Sequence, residues 1–128
     1  MRLLLDTCTF LWIIDKSERV PRRVIDVFSS SETLAYLSAV SAWEIAVKCA
    51  ARRLMLAEPP ERFVPQQRDA HGIAALAVDE DSALYAARLP PVHRDPFDRL
   101  LIGQAIVHGL TIATPDPVIP KYHVRTIW

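Results

Sequence analysis

The sequence predicts an α/β protein: a three-layer sandwich with a central parallel sheet of four to five strands flanked by helices. Three observations carry that prediction. Short apolar runs alternate with longer segments of helical periodicity, the pattern of strand–helix–strand units. The strand candidates are continuously apolar, as strands covered on both faces are. The chain has 128 residues, 51% hydrophobic and 23% charged, the balance of one globular domain spanning 1–128.

Arg2–Asp6 reads as a buried strand, three leucines ending on a carboxylate. Thr9–Asp15 reads as a helix. Pro21 opens a second helix with Val24, Val27 and Phe28 as its apolar stripe. Ser29–Glu32 is a break, and Thr33–Leu37 a second strand. Ser41–Leu54 reads as a helix with Trp43, Val47, Ala50 and Leu54 on one face. Its opening, Ser41-Ala-Trp-Glu44, has the form of a capping box and places Glu44 in the first turn. Pro59-Pro60 breaks the chain and starts a short helix through Gln67. Gly72–Val78 is a third strand. Asp79–Leu89 is a helix with three acids at its start, which complements the dipole. After the Pro90-Pro91 loop, Pro96–His108 is a strongly apolar helix closed by Gly109. Leu110–Ala113 is a fourth strand and Val124–Ile127 a fifth.

Composition narrows the function. Basic and acidic residues number 15 each, which argues against a polyanion-coating protein. No apolar run approaches the ~20 residues that span a bilayer. The opening Met1-Arg-Leu-Leu-Leu-Asp6 lacks the long apolar run and cleavage site of a signal peptide. The two cysteines, Cys8 and Cys49, form no C-x-x-C pair, which suits a reducing cytoplasm and leaves a single bridge open. The glycines, Gly72, Gly103 and Gly109, cannot build a phosphate-cradling loop.

The informative residues are acidic. Asp6 ends the first strand, and Asp116 follows the fourth in a Thr114-Pro115-Asp116 turn. In a parallel sheet both fall on the carboxyl edge, where open α/β sheets bind ligands. Asp95 and Asp98 lie three apart at the start of the Pro96 helix, and Glu44 lies near the start of the Ser41 helix. Carboxylates gathered in one cleft repel each other unless a cation joins them. An all-oxygen set selects Mg²⁺ or Mn²⁺, and the chemistry such sites perform is phosphodiester hydrolysis by metal-activated water. Each acid also has a structural reading. Glu44 completes a capping box, Asp95 caps a helix whose first turn holds Asp98, and Asp116 sits in a turn. Asp6 is the hardest to explain by structure alone, and its neutralisation is expected to relieve repulsion.

Other residues are assigned quieter roles. His71, His93, His108 and His123 form no ligand pattern and are assigned to surfaces or helix ends. Cys8 and Cys49 read as small packing residues, and Trp12, Trp43 and Trp128 as core or interface aromatics. Lys48, Arg52 and Arg53 share a helix face, while Arg94 and Arg99 flank the second acidic pair. Lys48, Arg52, Arg94 and Arg99 are candidates for nucleic-acid or partner contacts.

Four segments in series are specific where each alone is weak. They are Leu-Leu-Leu-Asp6-Thr-Cys-Thr-Phe-Leu-Trp12, Ser38-Ala-Val-Ser-Ala-Trp-Glu44-Ile-Ala-Val-Lys48, His93-Arg-Asp95-Pro-Phe-Asp98-Arg-Leu-Leu-Ile-Gly-Gln-Ala105 and Thr114-Pro-Asp116. Over nearly the whole chain they resemble the PIN-domain proteins, in particular the VapC-type toxins of bacterial type II toxin–antitoxin systems. The resemblance implies a Mg²⁺-dependent ribonuclease leaving a 5′-phosphate and a 3′-hydroxyl, and a small cognate antitoxin that blocks the site. A homodimer through helical faces is a further implication. Carried over by motif, Asp6, Glu44, Asp98 and Asp116 are the metal-binding and catalytic acids, and Asp95 is an auxiliary acid or a cap. The chain departs from the pattern at Cys8, where close relatives commonly have His, at Gly103-Gln104, and at Pro115. Two other readings remain: an aspartyl-nucleophile phosphatase, which would want a second Asp where Cys8 stands, and a non-catalytic RNA- or protein-binding module.

Overall fold

The computed structural model describes all residues Met1–Trp128. The strands are β1 (Arg2–Leu5), β2 (Leu34–Ser38), β3 (Ala74–Leu76), β4 (Thr111–Ala113) and β5 (Arg125–Ile127). The helices are α1 (Thr7–Ile14), α2 (Arg22–Ser29), α3 (Ala39–Ala50), α4 (Pro60–Ala70), α5 (Glu80–Arg88) and α6 (Pro96–His108). All four strand pairings are parallel, in the order β3-β2-β1-β4-β5. This is the expected sandwich with five strands. No helix is long and apolar enough to cross a membrane.

The pleat of β1 divides the core. Leu3 and Leu5 face one layer, with Phe10 and Ile13 of α1, Val24 of α2, Ile45 of α3 and Val64 of α4. Leu4 faces the other, with Ala86 of α5 and Leu101, Ile102 and Ala105 of α6. All three leucines are fully buried, each contributing about 1.5–3 kcal/mol relative to exposure. The central strand is therefore apolar on both faces because helices cover both.

The sheet order positions the site. The chain runs outward from β1 through β2 to β3, then crosses by α5 and α6 to place β4 on the other side of β1. The direction of winding reverses between β1 and β4, and the crevice beyond their carboxyl ends is where such sheets bind ligands.

Several sequence-level readings are corrected. α3 begins at Ala39, because the extended Ser38 at the end of β2 caps it by accepting from the Val40 N–H. Glu44 therefore lies beyond the first turn, and Ser41-Ala-Trp-Glu44 is not a capping box. Ser41 instead packs its hydroxyl 3.0 Å from that of Thr7. The helix ends at Ala50 rather than Leu54. Arg52 adopts φ 58° there, the left-handed cap position, while Arg53 N–H bonds Lys48 O at 2.8 Å. Trp43 and Val47 face solvent, 62% and 42% exposed, which leaves Trp43 the interface half of its core-or-interface reading, and Trp43 packs edge-on to Phe97. α4 runs three residues past Gln67 with Pro65 inside it, and β3 is shorter than Gly72–Val78. α1 starts at Thr7, because Asp6 is its N-cap. Trp12 and Trp128 pack together, their ring centroids 6.0 Å apart. Cys8 and Cys49 are both free thiols.

Gly103 proves to be a packing requirement. A Cβ there would lie 2.8 Å from Ser82 O of α5, so glycine permits the close approach of α5 and α6. Its neighbour Gln104 is fully buried, accepting from Ser38 and donating to Ala77 O at 3.0 Å.

Candidate active site

At the reversal between β1 and β4 lies an open cleft of about 530 Å³. Asp6, Glu44, Asp95, Asp98 and Asp116 all line it, together with Lys48 and Arg53. The five acids seen in the sequence, scattered over more than a hundred residues, are thus brought together.

Asp6 is almost wholly buried, 6% exposed. As N-cap of α1 its Oδ1 accepts from the Thr9 N–H at 2.9 Å and from the Cys8 thiol at 3.3 Å. Its Oδ2 accepts from the Thr114 hydroxyl. The partner that the sequence demanded for this carboxylate is thus supplied by the protein, threefold. Thr114 also accepts from the Asp116 N–H at 3.0 Å, so one hydroxyl joins two of the acids.

Glu44 reaches in from α3. The Thr7 hydroxyl donates to its Oε1 at 2.6 Å, and Lys48 one turn on pairs with its Oε2 at 2.7 Å. Asp95 is the N-cap of α6, accepting from the Phe97 N–H at 2.9 Å, as its place before Pro96 implied. Asp98 follows in the first turn of that helix. Asp116 accepts from the Val118 N–H at 2.7 Å, so it also holds its own turn.

His93 lies at the centre of this cluster, which corrects its assignment to a surface or helix end. Its Nε2 is 2.8 Å from Asp116 Oδ2 and 3.1 Å from Asp98 Oδ2, and the three side chains could offer ligand atoms within 4.8 Å of one another. No ligand spacing in the chain points to it. The available signal was its place two residues before the capping Asp95. Thr7 and Thr114 were missed as supporting hydroxyls for the same reason, since their role depends on contacts across the chain. His108 does occupy a helix end, with Nε2 2.8 Å from Asp79 Oδ1 at the start of α5.

The acids are compensated unequally. Burial pushes the Asp98 carboxyl up to about 7, the neighbouring Asp95 charge adds to this, His93 opposes it, and Asp116 and Glu44 raise it further. Burial also raises Asp116, but donation by the His93 ring and the Val118 amide more than offsets that and leaves it below the ordinary carboxylate value. The Cys8 thiol is pushed up to about 12, first by burial and then by the Asp6 charge. Cys8 is therefore a protonated donor on the rim of the cleft, rather than only a packing residue.

The basic candidates divide. Lys48 is committed to Glu44, and Arg53 lines the cleft. Arg52 and Arg94 are exposed. Arg99 turns away from the cleft, its Nη1 donating to Pro90 O at 3.0 Å and its Nη2 to Ala86 O and Leu89 O at 3.1 and 3.0 Å. It braces the loop before α6 rather than offering itself to a phosphate.

The donor set fits a hard divalent cation. It is dominated by carboxylate oxygens, it includes one acid, Asp98, whose charge the protein leaves poorly compensated, and its only thiol is protonated.

A family model described as the PIN domain matches residues 3–124. No curated protein sequence matches the chain. Among solved structures, the chain superposes on VapBC2 from Rickettsia felis bound to a fragment of its promoter DNA (TM-score 0.74, 11% identity, 99% of this chain and 98% of that one). It likewise superposes on DNA-bound VapBC from Salmonella typhimurium (0.65, 18%, 99% and 97%). A toxin–antitoxin complex from Klebsiella pneumoniae is a third likeness (0.65, 13%, 98% and 96%). Identities this low establish the shared fold, and the family match, running from β1 to the threshold of β5, establishes that the chain belongs to the PIN-domain family.

Proposed function

We propose that this protein is a divalent-metal-dependent endoribonuclease and the toxin of a toxin–antitoxin pair. The observation that carries the proposal is the convergence of Asp6, Glu44, Asp98 and Asp116 on one cleft at the winding reversal of the sheet. A nuclease needs negative oxygens gathered where a phosphodiester can approach, and these acids line an open cleft.

Asp6, Glu44, Asp98 and Asp116 would hold Mg²⁺ or Mn²⁺, and Asp95 would cap α6 beside them. When bound, the cation supplies charge neutralisation for the phosphate oxygens and acidifies a water for attack. The protein's own residues do the rest. Thr9, Thr114 and Cys8 fix the Asp6 carboxylate, and Thr7 fixes Glu44. Asp6 Oδ2 and Glu44 Oε1 each keep a lone pair free for a cation beside these donors, whereas Asp6 Oδ1 is taken up by two. Lys48 and Arg53 set positive charge at the cleft margin, where they attract a phosphate backbone. The exposed Arg52 and Arg94 extend that margin for RNA or a partner.

The partner reading is supported by the toxin–antitoxin and VapBC complexes that share the fold. An acidic cleft suits an antitoxin segment that inserts a basic side chain among the carboxylates. The test has two arms. Purified protein should cleave RNA with Mg²⁺ or Mn²⁺, cease in EDTA, and lose most activity in folded Asp6→Asn, Glu44→Gln, Asp98→Asn and Asp116→Asn variants. Co-expression with the small protein encoded next to it should rescue growth and yield a stable complex. Full activity in EDTA would refute the chemistry, and failure of both rescue and co-purification the pairing.

A further inference from the structure

His93 stands between two of the acids assigned above to the cation, and imidazole can serve such a site in two ways. As a ligand it points a bare nitrogen at the metal and turns its other N–H toward an acceptor. As a support it points an N–H at the carboxylates.

The hydrogen bonding of the ring decides between them. The Asp95 backbone N–H donates to His93 Nδ1 at 3.1 Å. An atom accepting from an amide carries no proton, so the proton of the ring is on Nε2. Nε2 is the atom facing the acids, 2.8 Å from Asp116 Oδ2 and 3.1 Å from Asp98 Oδ2. Nε2 is hydrogen-bonded to Asp116, and Asp98 lies in contact beside the same N–H. Ligation through Nε2 would require that proton to leave, and Nδ1 cannot receive it while the Asp95 amide occupies its lone pair.

The backbone keeps the ring in this setting. The His93 N–H donates to the Tyr122 hydroxyl at 2.7 Å, and that hydroxyl donates to Pro90 O at 2.7 Å. Arg99 draws in Ala86 O, Leu89 O and Pro90 O on the other side of the loop. Asp95, whose amide fixes the tautomer, is itself fixed by capping α6. The loop that delivers His93 is thus clamped at both ends before any cation arrives.

We propose that His93 is a positioning residue rather than a metal ligand: its Nε2–H donates to Asp116 with Asp98 in contact beside it, and the ring holds the two carboxylates at a spacing ready for the cation. The proposal rests on the reading of those two acids as metal-binding. Without the tie their charges face each other directly, and the acids separate until the metal gathers them again. Loss of such an outer support weakens metal binding by about ten- to a hundredfold.

The experiment combines long-range ¹H–¹⁵N spectra of the metal-free and Mg²⁺-saturated protein with Mn²⁺ binding followed by electron paramagnetic resonance. It compares wild type with His93→Ala and His93→Gln, the latter ending in an N–H donor of similar reach. Circular dichroism verifies that each is folded, and the Gln variant keeps the test decisive if Ala fails to fold. The expected result is a proton on Nε2 with and without Mg²⁺, and no imidazole nitrogen coupled to bound Mn²⁺. Mn²⁺ affinity should fall about tenfold or more in the Ala variant and recover to within a few-fold of wild type in the Gln variant. A nitrogen coupling that disappears in a His93 variant would make the ring a ligand and overturn the proposal. Equal affinity in all three proteins would overturn it too, as would a proton on Nδ1. If wild type binds no Mn²⁺ while Nε2 is protonated, the metal-site reading fails and the tie stands. If it binds none and the proton is on Nδ1, both fail.

Discussion

Asp98→Asn in metal-free buffer tests whether the cleft is built for a cation. The Asp98 carboxyl is raised from the ordinary 3.8 to about 7, first by burial and then by Asp95. That difference corresponds to an upper bound of about 4 kcal/mol for ionising this group in the folded protein. The side chain is only 20% exposed, so solvent screening reduces the figure without removing it, and about 1–3 kcal/mol is expected. Against it stand His93, already counted in that value, and the α6 dipole, which favours an acid in the first turn by about 0.3–1 kcal/mol. Repulsion and burial therefore outweigh the dipole. An acid with a raised folded-state value keeps protons that the unfolded chain has released, so its penalty is absent below 3.8, grows with pH and is complete above about 7.

Asparagine keeps the shape and removes the charge. In EDTA, urea unfolding should show the Asn variant gaining on wild type between acidic and alkaline pH, by about 1–3 kcal/mol. Mg²⁺ at a hundredfold excess over its Kd should then stabilise wild type by about 2.7 kcal/mol, and the variant much less. The variant's advantage in alkaline buffer would thus shrink or reverse on adding metal. A difference between the two proteins that is independent of pH, or an equal response of both to Mg²⁺, would refute the argument. Asp6, which the sequence alone nominates for this test, is the poorer choice. Three donors hold its oxygens, so Asp6→Asn removes structural bonds along with charge.

Four further outcomes follow from the geometry. Asp95→Asn should keep the α6 cap and retain RNA cleavage within about tenfold, or ~1.4 kcal/mol of barrier, while Asp98→Asn loses far more; equal severe losses in two folded variants would place Asp95 in the metal site. Gly103→Ala should destabilise by about 1–3 kcal/mol although alanine is the better helix former, because its Cβ would meet Ser82 O at 2.8 Å; a urea midpoint at or above wild type would contradict this. Arg52→Gly should raise stability by about 1 kcal/mol by relieving a side chain held at φ 58°, read from the thermal midpoint. Asp79 is held well below the usual carboxylate range by the His108 hydrogen bond and then by that of Ser82; the stability that Asp79→Asn removes should be present at pH 5 and fade as the pH falls through 3.8 and below.

What the sequence disclosed follows from which interactions are local. α6 was legible to the residue because its boundaries are local chemistry, a proline in the first turn and a left-handed glycine at the end. β1 was legible because three leucines can be buried on both faces only in a covered strand. α3 was misread because two serines compete to cap it. Ser38 wins because the end of β2 delivers it in extended geometry, and no local pattern records that. Periodicity left Trp43 between core and interface, because it finds an apolar face but not what covers it. His93 had only its place before the capping Asp95 to mark it, since its position depends on Tyr122 and Arg99 holding the loop and on Asp116 arriving from beyond β4.

The acids show why a capping reading and a catalytic one were hard to separate in sequence. Asp6 caps α1, Asp95 caps α6 and Asp116 holds its own turn. This coincidence has a physical cause. α1 and α3 start where β1 and β2 end, and α6 starts beside them, so positive helix ends gather at the edge where the winding reverses. Capping draws carboxylates to that edge whether or not they do chemistry there. What distinguishes a reactive cluster is the balance of charge after every cap is satisfied. Asp6 is held by three donors, Asp116 keeps its charge through His93 and Val118, Glu44 has Lys48, and Asp98 is charged only at a cost that a cation would remove. The cleft thus holds an excess of carboxylate over the local capping requirement. That excess becomes visible only when the donors, contributed by Thr7, Thr9, His93 and Thr114, are counted in three dimensions.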